Sequence, residues 1–193
     1  RRDAAPRPIG RMLDARSFVN AIVGLHATGG STNHTLHLPA MAAAAGIDLR
    51  WADFARLPAI VPLLARIYPN GTADVNHFHA AGGMGFSIRE LLAAGLLDGS
   101  ARTVWGDTLA DYAVEPKFGA GGLAFVPAPK ASLDTQVLRP VENPHQPNGG
   151  LAMLAGNLGR AVIKVSAVDP AHHHITAPAA VFDNEADVKT AFS

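Results

Sequence analysis

Apolar positions along the chain fall at helical spacing in its first two thirds and form denser, strand-like runs near its end. In residues 17–27, SFVNAIVGLHA, Phe18, Ile22 and Leu25 recur three and four positions apart, one face of a short helix with Ser17 as N-cap. Gly29 and Gly30 break it. Residues 31–45 resume a helical pattern through Leu36, Leu38 and Met41 and stop at Gly46; Pro39 inside that pattern predicts a kink or a delayed start. Residues 51–57 predict another short helix, and AIVPLLARIYPNG ends in a turn at Pro69-Asn70-Gly71. After AGGMG, the stretch FSIRELLAAGLLDG predicts an amphipathic helix closed by Gly95 or Gly99. Short helices alternating with apolar segments give an α/β class.

The pattern changes after residue 126. Residues 127–147 carry five of the chain's fourteen prolines and little apolar periodicity, which predicts a crossover between residues 1–126 and residues 148–193. Beyond it, LAMLAGNLG and RAVIKVSAV predict strands, with Gly156, Asn157 and Gly159 supplying turns. DNEADVKTAF predicts a closing helix capped by Asp183. Residues 148–193 are few for a self-sufficient core, so this second unit is expected to be incomplete. The chain opens on Arg1 and stops at Ser193 within a helical pattern, and is expected to be a piece of a larger protein.

Composition narrows the function classes. Hydrophobic residues make up 48% and charged residues 17%, a balance for a buried core and against disorder. Sixteen Lys+Arg against sixteen Asp+Glu leave no net field for nucleic acid or an anionic membrane. No apolar run is long enough to span a bilayer. Cysteine is absent, which excludes disulfides and thiolate sites within these residues; together with the missing targeting signal this favours the cytoplasm.

Residues 28–35, TGGSTNHT, concentrate hydrogen-bonding capacity where a helix is expected to begin. The first N–H groups of a helix have no intrahelical partner and sit at the positive end of its dipole. Glycines let a ligand approach such a terminus, and Ser31, Thr32 and Asn33 add donors and acceptors suited to sugar hydroxyls. The same residues serve equally as a turn and a helix cap, and spacing alone does not separate the two readings. His77 and His79 of NHFHAAGG share one face if extended, but zinc needs three or four ligands and no acidic partner lies nearby in sequence; ordinary hydrogen-bonded histidines are the favoured reading. His172-His173-His174, between Pro170 and Pro178, reads as a solvated turn. Arg160 and Lys164 either face one side of a strand and meet an anion or form the polar face of a half-exposed strand.

Longer stretches carry more information. VNAIVGLHATGGSTNHTLHLPAMAAAAGI, LARIYPNGTADVNHFHAAGG, RELLAAGLL, GNLGRAVIKVSAV and APAAVFDNEADV occur in that order. Together they resemble the phosphogluconate branch of the dihydroxy-acid and sugar-acid dehydratases. The uninterrupted GNLGRAVIK favours that branch over the branched-chain dihydroxy-acid enzymes. The resemblance implies the latter part of a layered α/β domain followed by the start of a smaller swivelling β-rich domain. It implies a cytoplasmic hydro-lyase, homodimeric when intact, that dehydrates 6-phospho-D-gluconate to 2-dehydro-3-deoxy-6-phosphogluconate in the Entner–Doudoroff route. It further implies an iron–sulfur cluster acting as Lewis acid on the departing hydroxyl, and possibly Mg²⁺.

The family's cluster cysteines, magnesium ligands and proposed serine base match nothing here. No catalytic or metal residue is therefore assigned, and this chain alone is expected to be inactive. Gly29, Gly30, Ser31, Thr32 and Asn33 are assigned to the substrate side of the cleft, with Ala81–Gly83 as a weaker candidate for the same cleft. The alternatives are a related dehydratase acting on an unphosphorylated sugar acid or a branched-chain dihydroxy acid, or a non-enzymatic anion-binding module.

Overall fold

A computed structural model describes residues 6–192. Its helices are α1 (Ala15–Thr28), α2 (His34–Ala44), α3 (Trp51–Arg56), α4 (Val75–Ala81), α5 (Gly83–Ala93) and α6 (Glu185–Ala191). Its strands form two antiparallel hairpins, β1 (Val114–Gly119) with β2 (Gly122–Pro127) and β3 (Ala152–Gly156) with β4 (Gly159–Ile163). The α/β class holds, as helices plus small antiparallel sheets.

Helix α1 is the axis of the molecule because it is apolar on two sides. Phe18, Ile22 and Leu25 pack with Leu38, Ala42, Phe54 and Leu151, joining α1, α2 and α3 to the residue that leads into β3. Val23 and Ala27 face a second cluster with Val61, Leu64, Phe86, Leu91 and Leu138. Burial of such side chains contributes roughly 1.5–3 kcal/mol each, so both flanks of α1 are firmly held. Asp14, not Ser17, is the N-cap: its carboxylate accepts the Ser17 N–H at 3.2 Å, and Ser17 completes a reciprocal capping box from the third helical position. Serine and aspartate three apart are interchangeable as cap signals on paper; the helical backbone begins at Ala15, which puts Asp14 at the cap and Ser17 at the third helical position.

Between α3 and α4, residues 61–67 run extended through the interior. Their amides pair with the segment after β2: Leu63 bridges Gln146 and Ala65 bridges Leu138, both antiparallel. The Arg66 N–H donates to the Val137 carbonyl at 2.8 Å and the Arg139 N–H to Leu64 at 2.8 Å. Residues 127–147 are thus strapped along the core, and they bury Val137 and Leu138. Two apolar anchors suffice for this, which is why the stretch lacks periodicity.

Pro39 sits inside α2 without ending it. Its missing N–H would have bonded the Thr35 carbonyl one turn earlier. Trp51 at the start of α3 donates its indole N–H to that carbonyl at 2.9 Å. Replacing Trp51 by Phe keeps a ring there and orphans the carbonyl of the buried Thr35. The expected loss is about 1–2 kcal/mol in urea unfolding; an unchanged midpoint would show that the bond contributes nothing.

Other boundaries shift for local reasons. The His77–His79 segment is helical in α4, so the two do not share an extended face. The Asp74 carboxylate caps α4 and meets His77 Nδ1 at 2.8 Å, an acidic partner the sequence reading missed. α5 begins at Gly83, ahead of the first strongly apolar residue, and α6 is capped by Asn184 and not by Asp183: its Oδ1 accepts the Asp187 N–H at 3.0 Å. The β1–β2 hairpin was not anticipated, although its Gly119-Ala120-Gly121-Gly122 turn, with Gly122 at φ 92°, is a recognisable signal.

Candidate functional site

The C-terminus of α1 sets the geometry. Gly29 adopts a left-handed conformation (φ 58°), and the Gly30 N–H folds back to the Leu25 carbonyl at 3.0 Å. A Cβ on Gly29 would lie 2.2 Å from Asn70 Nδ2. That closeness is used: Asn70 donates to the Gly29 carbonyl at 3.1 Å, and its Oδ1 accepts from the Ser166 hydroxyl at 2.8 Å. Ser166 also lies 3.1 Å from the Gly150 carbonyl, and a Cβ on Gly150 would meet the Gly29 Cα at 2.7 Å. One buried asparagine therefore ties the end of α1 to the Pro69-Asn70-Gly71 turn and to the chain after β4.

This knot holds open a crevice of about 720 Å³. Thr28–Thr32 line one side, Ile67–Pro69 a second, and Ile163, Lys164, Ala167 and Val168 the third. Of the sequence-assigned residues, Gly29, Gly30, Ser31 and Thr32 line it, while Asn33 stands outside on the turn into α2. Ser31 does cap that turn, its Oγ accepting the Asn33 N–H at 3.2 Å, and the His34 and Thr35 amides bond the Ser31 and Thr32 carbonyls. The amides of Ser31 and Thr32 themselves have no partner among the described residues, and the Ser31 hydroxyl keeps its hydrogen to donate. The cap of α2 and the wall of the crevice are one feature read from two sides.

Lys164 supplies the charge. It follows the last residue of β4 with φ −84° and ψ 86°, leaving strand geometry, so the four-residue spacing from Arg160 does not put both on one face. Arg160 lies over the Trp51 ring at 5.9 Å, while Lys164 enters the crevice. Burial pushes the Lys164 ammonium below its usual range, and it makes no ion pair among the described residues. A half-desolvated cation opposite unpaired amides and hydroxyls is suited to a hydroxylated anion.

His26, behind the crevice, is 1% exposed. Its Nε2 donates to the Phe54 carbonyl at 3.1 Å, its Nδ1 has no partner, and Gly149 packs on the ring. Burial pushes its pKa down, outweighing the Phe54 carbonyl, which pushes it up. The unfolded chain then binds a proton that the folded chain refuses, in the window from about 6.5 downwards. Stability is expected to be flat above that window and to fall as pH drops through it. His145, also shifted down by burial, adds to the same slope. His26→Gln should flatten the urea midpoint between pH 7.5 and 5, and an unchanged slope would refute this origin.

Ala81–Gly83 is drawn away from the crevice. Ala81 is core, and Gly83 lines a separate cavity of about 500 Å³ walled by Phe78, Trp105, Tyr112 and Phe125. No group of three or more His, Asp or Glu among the described residues is placed to hold a metal ion. An iron–sulfur cluster is held chiefly by cysteine thiolates, and this chain has none, so its residues do not fit that group.

The N-terminal dihydroxy-acid/6-phosphogluconate dehydratase family model matches residues 2–112, and the C-terminal model of the same name matches residues 136–193. The chain belongs to this dehydratase family. It is 59% identical over 186 residues to a phosphogluconate dehydratase of Rhizobium meliloti and 51% over 185 residues to one of Pseudomonas aeruginosa, covering 96% of this chain in both cases. A dihydroxy-acid dehydratase of Acaryochloris marina is 40% identical over 182 residues, or 93% of this chain. The chain spans 31% of the length of the Rhizobium relative and 30% of the other two. Both family-matched segments contribute to the crevice, Thr28–Thr32 from the first and Ile163, Lys164, Ala167 and Val168 from the second. No described helix is long and apolar enough to cross a membrane.

The sequence marks Asn70 only as part of the Pro69-Asn70-Gly71 turn and gives Ser166 no role, and their pairing is hidden because they lie 96 positions apart. Lys164 was singled out, with the wrong companion.

Proposed function

We propose that this chain forms one wall of the substrate cleft of a hydro-lyase that converts 6-phospho-D-gluconate to 2-dehydro-3-deoxy-6-phosphogluconate. The observation that carries the reading is the meeting of Gly29–Thr32 and Lys164 in one crevice, within a chain more similar to phosphogluconate dehydratases (59% identical) than to a dihydroxy-acid dehydratase (40%). In this reading the Lys164 ammonium holds an anionic end of the sugar acid, and the Ser31 and Thr32 amides and hydroxyls orient its hydroxyl groups. These residues bind and position. The reacting groups, an iron–sulfur cluster and Mg²⁺ among them, belong to polypeptide beyond this chain, and the 193 residues alone carry no dehydratase activity.

A substrate panel on the intact protein tests it. Dehydration of 6-phosphogluconate in preference to gluconate and 2,3-dihydroxyisovalerate is expected. Preference for either acid lacking phosphate would overturn the assignment of substrate, and turnover by the 193 residues alone would overturn the division of labour.

A further inference from the structure

A second, more polar pocket of about 420 Å³ adjoins the crevice and shares Pro69, Ala167 and Val168 with it. Its positive charge comes from Arg66 at the end of the extended run, and His145, where the strap returns, adds an imidazole that burial keeps neutral. The His145 N–H donates to the Leu63 carbonyl at 2.9 Å, which fixes its backbone; its ring lies near the Val137 carbonyl, and its Nε2 is buried without a partner. Arg139 stands close enough to act on the same imidazole. Neither arginine is in an ion pair among the described residues: Arg66 Nε donates to the Asn70 carbonyl at 3.3 Å and Arg139 Nε to Thr135 at 3.0 Å. The one carboxylate lining the pocket, Asp169, has Oδ1 occupied by the Ala171 N–H at 2.9 Å.

We propose that this pocket is the phosphate station of the cleft, with Arg66 and His145 as its ligands. The inference rests on the reading of the crevice as a substrate site and deepens it. A sugar-acid phosphate has an anion at each end of its carbon chain. The joined pockets offer a cation at each end, Lys164 on one side of the Pro69 and Ala167–Val168 saddle and Arg66 on the other, where the His145 imidazole lines the same pocket. Guanidinium suits the phosphate end, because its fork matches phosphate oxygens where an ammonium is a point charge. A buried imidazole nitrogen with a free lone pair accepts a hydrogen bond from a protonated phosphate oxygen, or becomes a donor by taking up a proton.

The test uses the intact protein, wild type and Arg66→Gln, with folding of the variant checked by its thermal midpoint. The first probe is inorganic phosphate, read by the nitrogen shifts of the His145 imidazole. Phosphate should perturb His145 in the wild type, and Arg66→Gln should weaken that binding about 10- to 100-fold, the range for a charge-assisted hydrogen bond. The second readout is the ratio of kcat/KM for 6-phosphogluconate to that for gluconate, which should fall by a similar factor. A purely structural role for Arg66 would lower both substrates together and leave the ratio in place. No phosphate-dependent shift at His145, or equal phosphate binding by both proteins, overturns the proposal. Should the wild type prefer another acid, the substrate assignment fails, and the phosphate titration still decides whether the pocket binds phosphate. Arg66→Lys, which keeps the charge without the fork, should recover part of the phosphate affinity.

Discussion

Gly29→Ala is expected to destabilise the protein by about 3 kcal/mol, the largest effect of any single methyl group added to the crevice wall. Two causes add. Alanine pays roughly 1 kcal/mol to hold the left-handed conformation at φ 58°. The new Cβ would also stand 2.2 Å from Asn70 Nδ2, so Asn70 must leave the Gly29 carbonyl and with it the Ser166 hydroxyl. Breaking buried hydrogen bonds contributes a further 1–3 kcal/mol. Gly46 provides the control: it has φ 75°, but nothing lies within 4 Å of where its Cβ would be, so Gly46→Ala should show the backbone part alone. Urea unfolding of both variants separates the contributions. Equal losses would mean that Asn70 does not brace the crevice.

Lys164→Gln is expected to weaken sugar-acid phosphate binding by the intact protein about 10- to 100-fold without lowering stability. The two signs are independent. Burial holds the Lys164 pKa below its unfolded value, so the folded state disfavours the charged form. The unfolded chain then holds more protons in the window below about 10.4, and stability rises with pH only there. At neutral pH the unpaired charge is a mild liability that glutamine removes. Calorimetric titration together with a thermal midpoint reads both quantities. A variant that loses stability while binding normally would make Lys164 a structural residue.

How much of this was legible beforehand depends on the range of the interaction. Helix positions, the Gly29 break and the β3–β4 turn follow from spacing and glycine placement, which are local. The cap positions slipped because Asp14 and Ser17, or Asp183 and Asn184, are equally good caps until the backbone chooses. Likewise α2 runs through Pro39 because Trp51, distant in sequence, takes the carbonyl that Pro39 abandons. At the crevice, the contiguous Gly29–Thr32 could be picked out from composition and from resemblance, whereas Asn33 falls outside it. The partners of Gly29–Thr32 could not. Asn70, Lys164 and Ser166 reach it through the central extended run and the hairpin that follows the strap, and nothing in the residues between them encodes that meeting locally. His145 and Arg66 were invisible for the same reason, and the unpaired state of the Arg66 charge and of His145 Nε2 is a property of packing.

The most direct measurement is a structure of the intact protein with 6-phosphogluconate bound. The sugar acid should lie against Gly29–Thr32 with one anionic end on Lys164. A ligand seated elsewhere, with Gly29–Thr32 buried far from it, would contradict the assignment of this crevice.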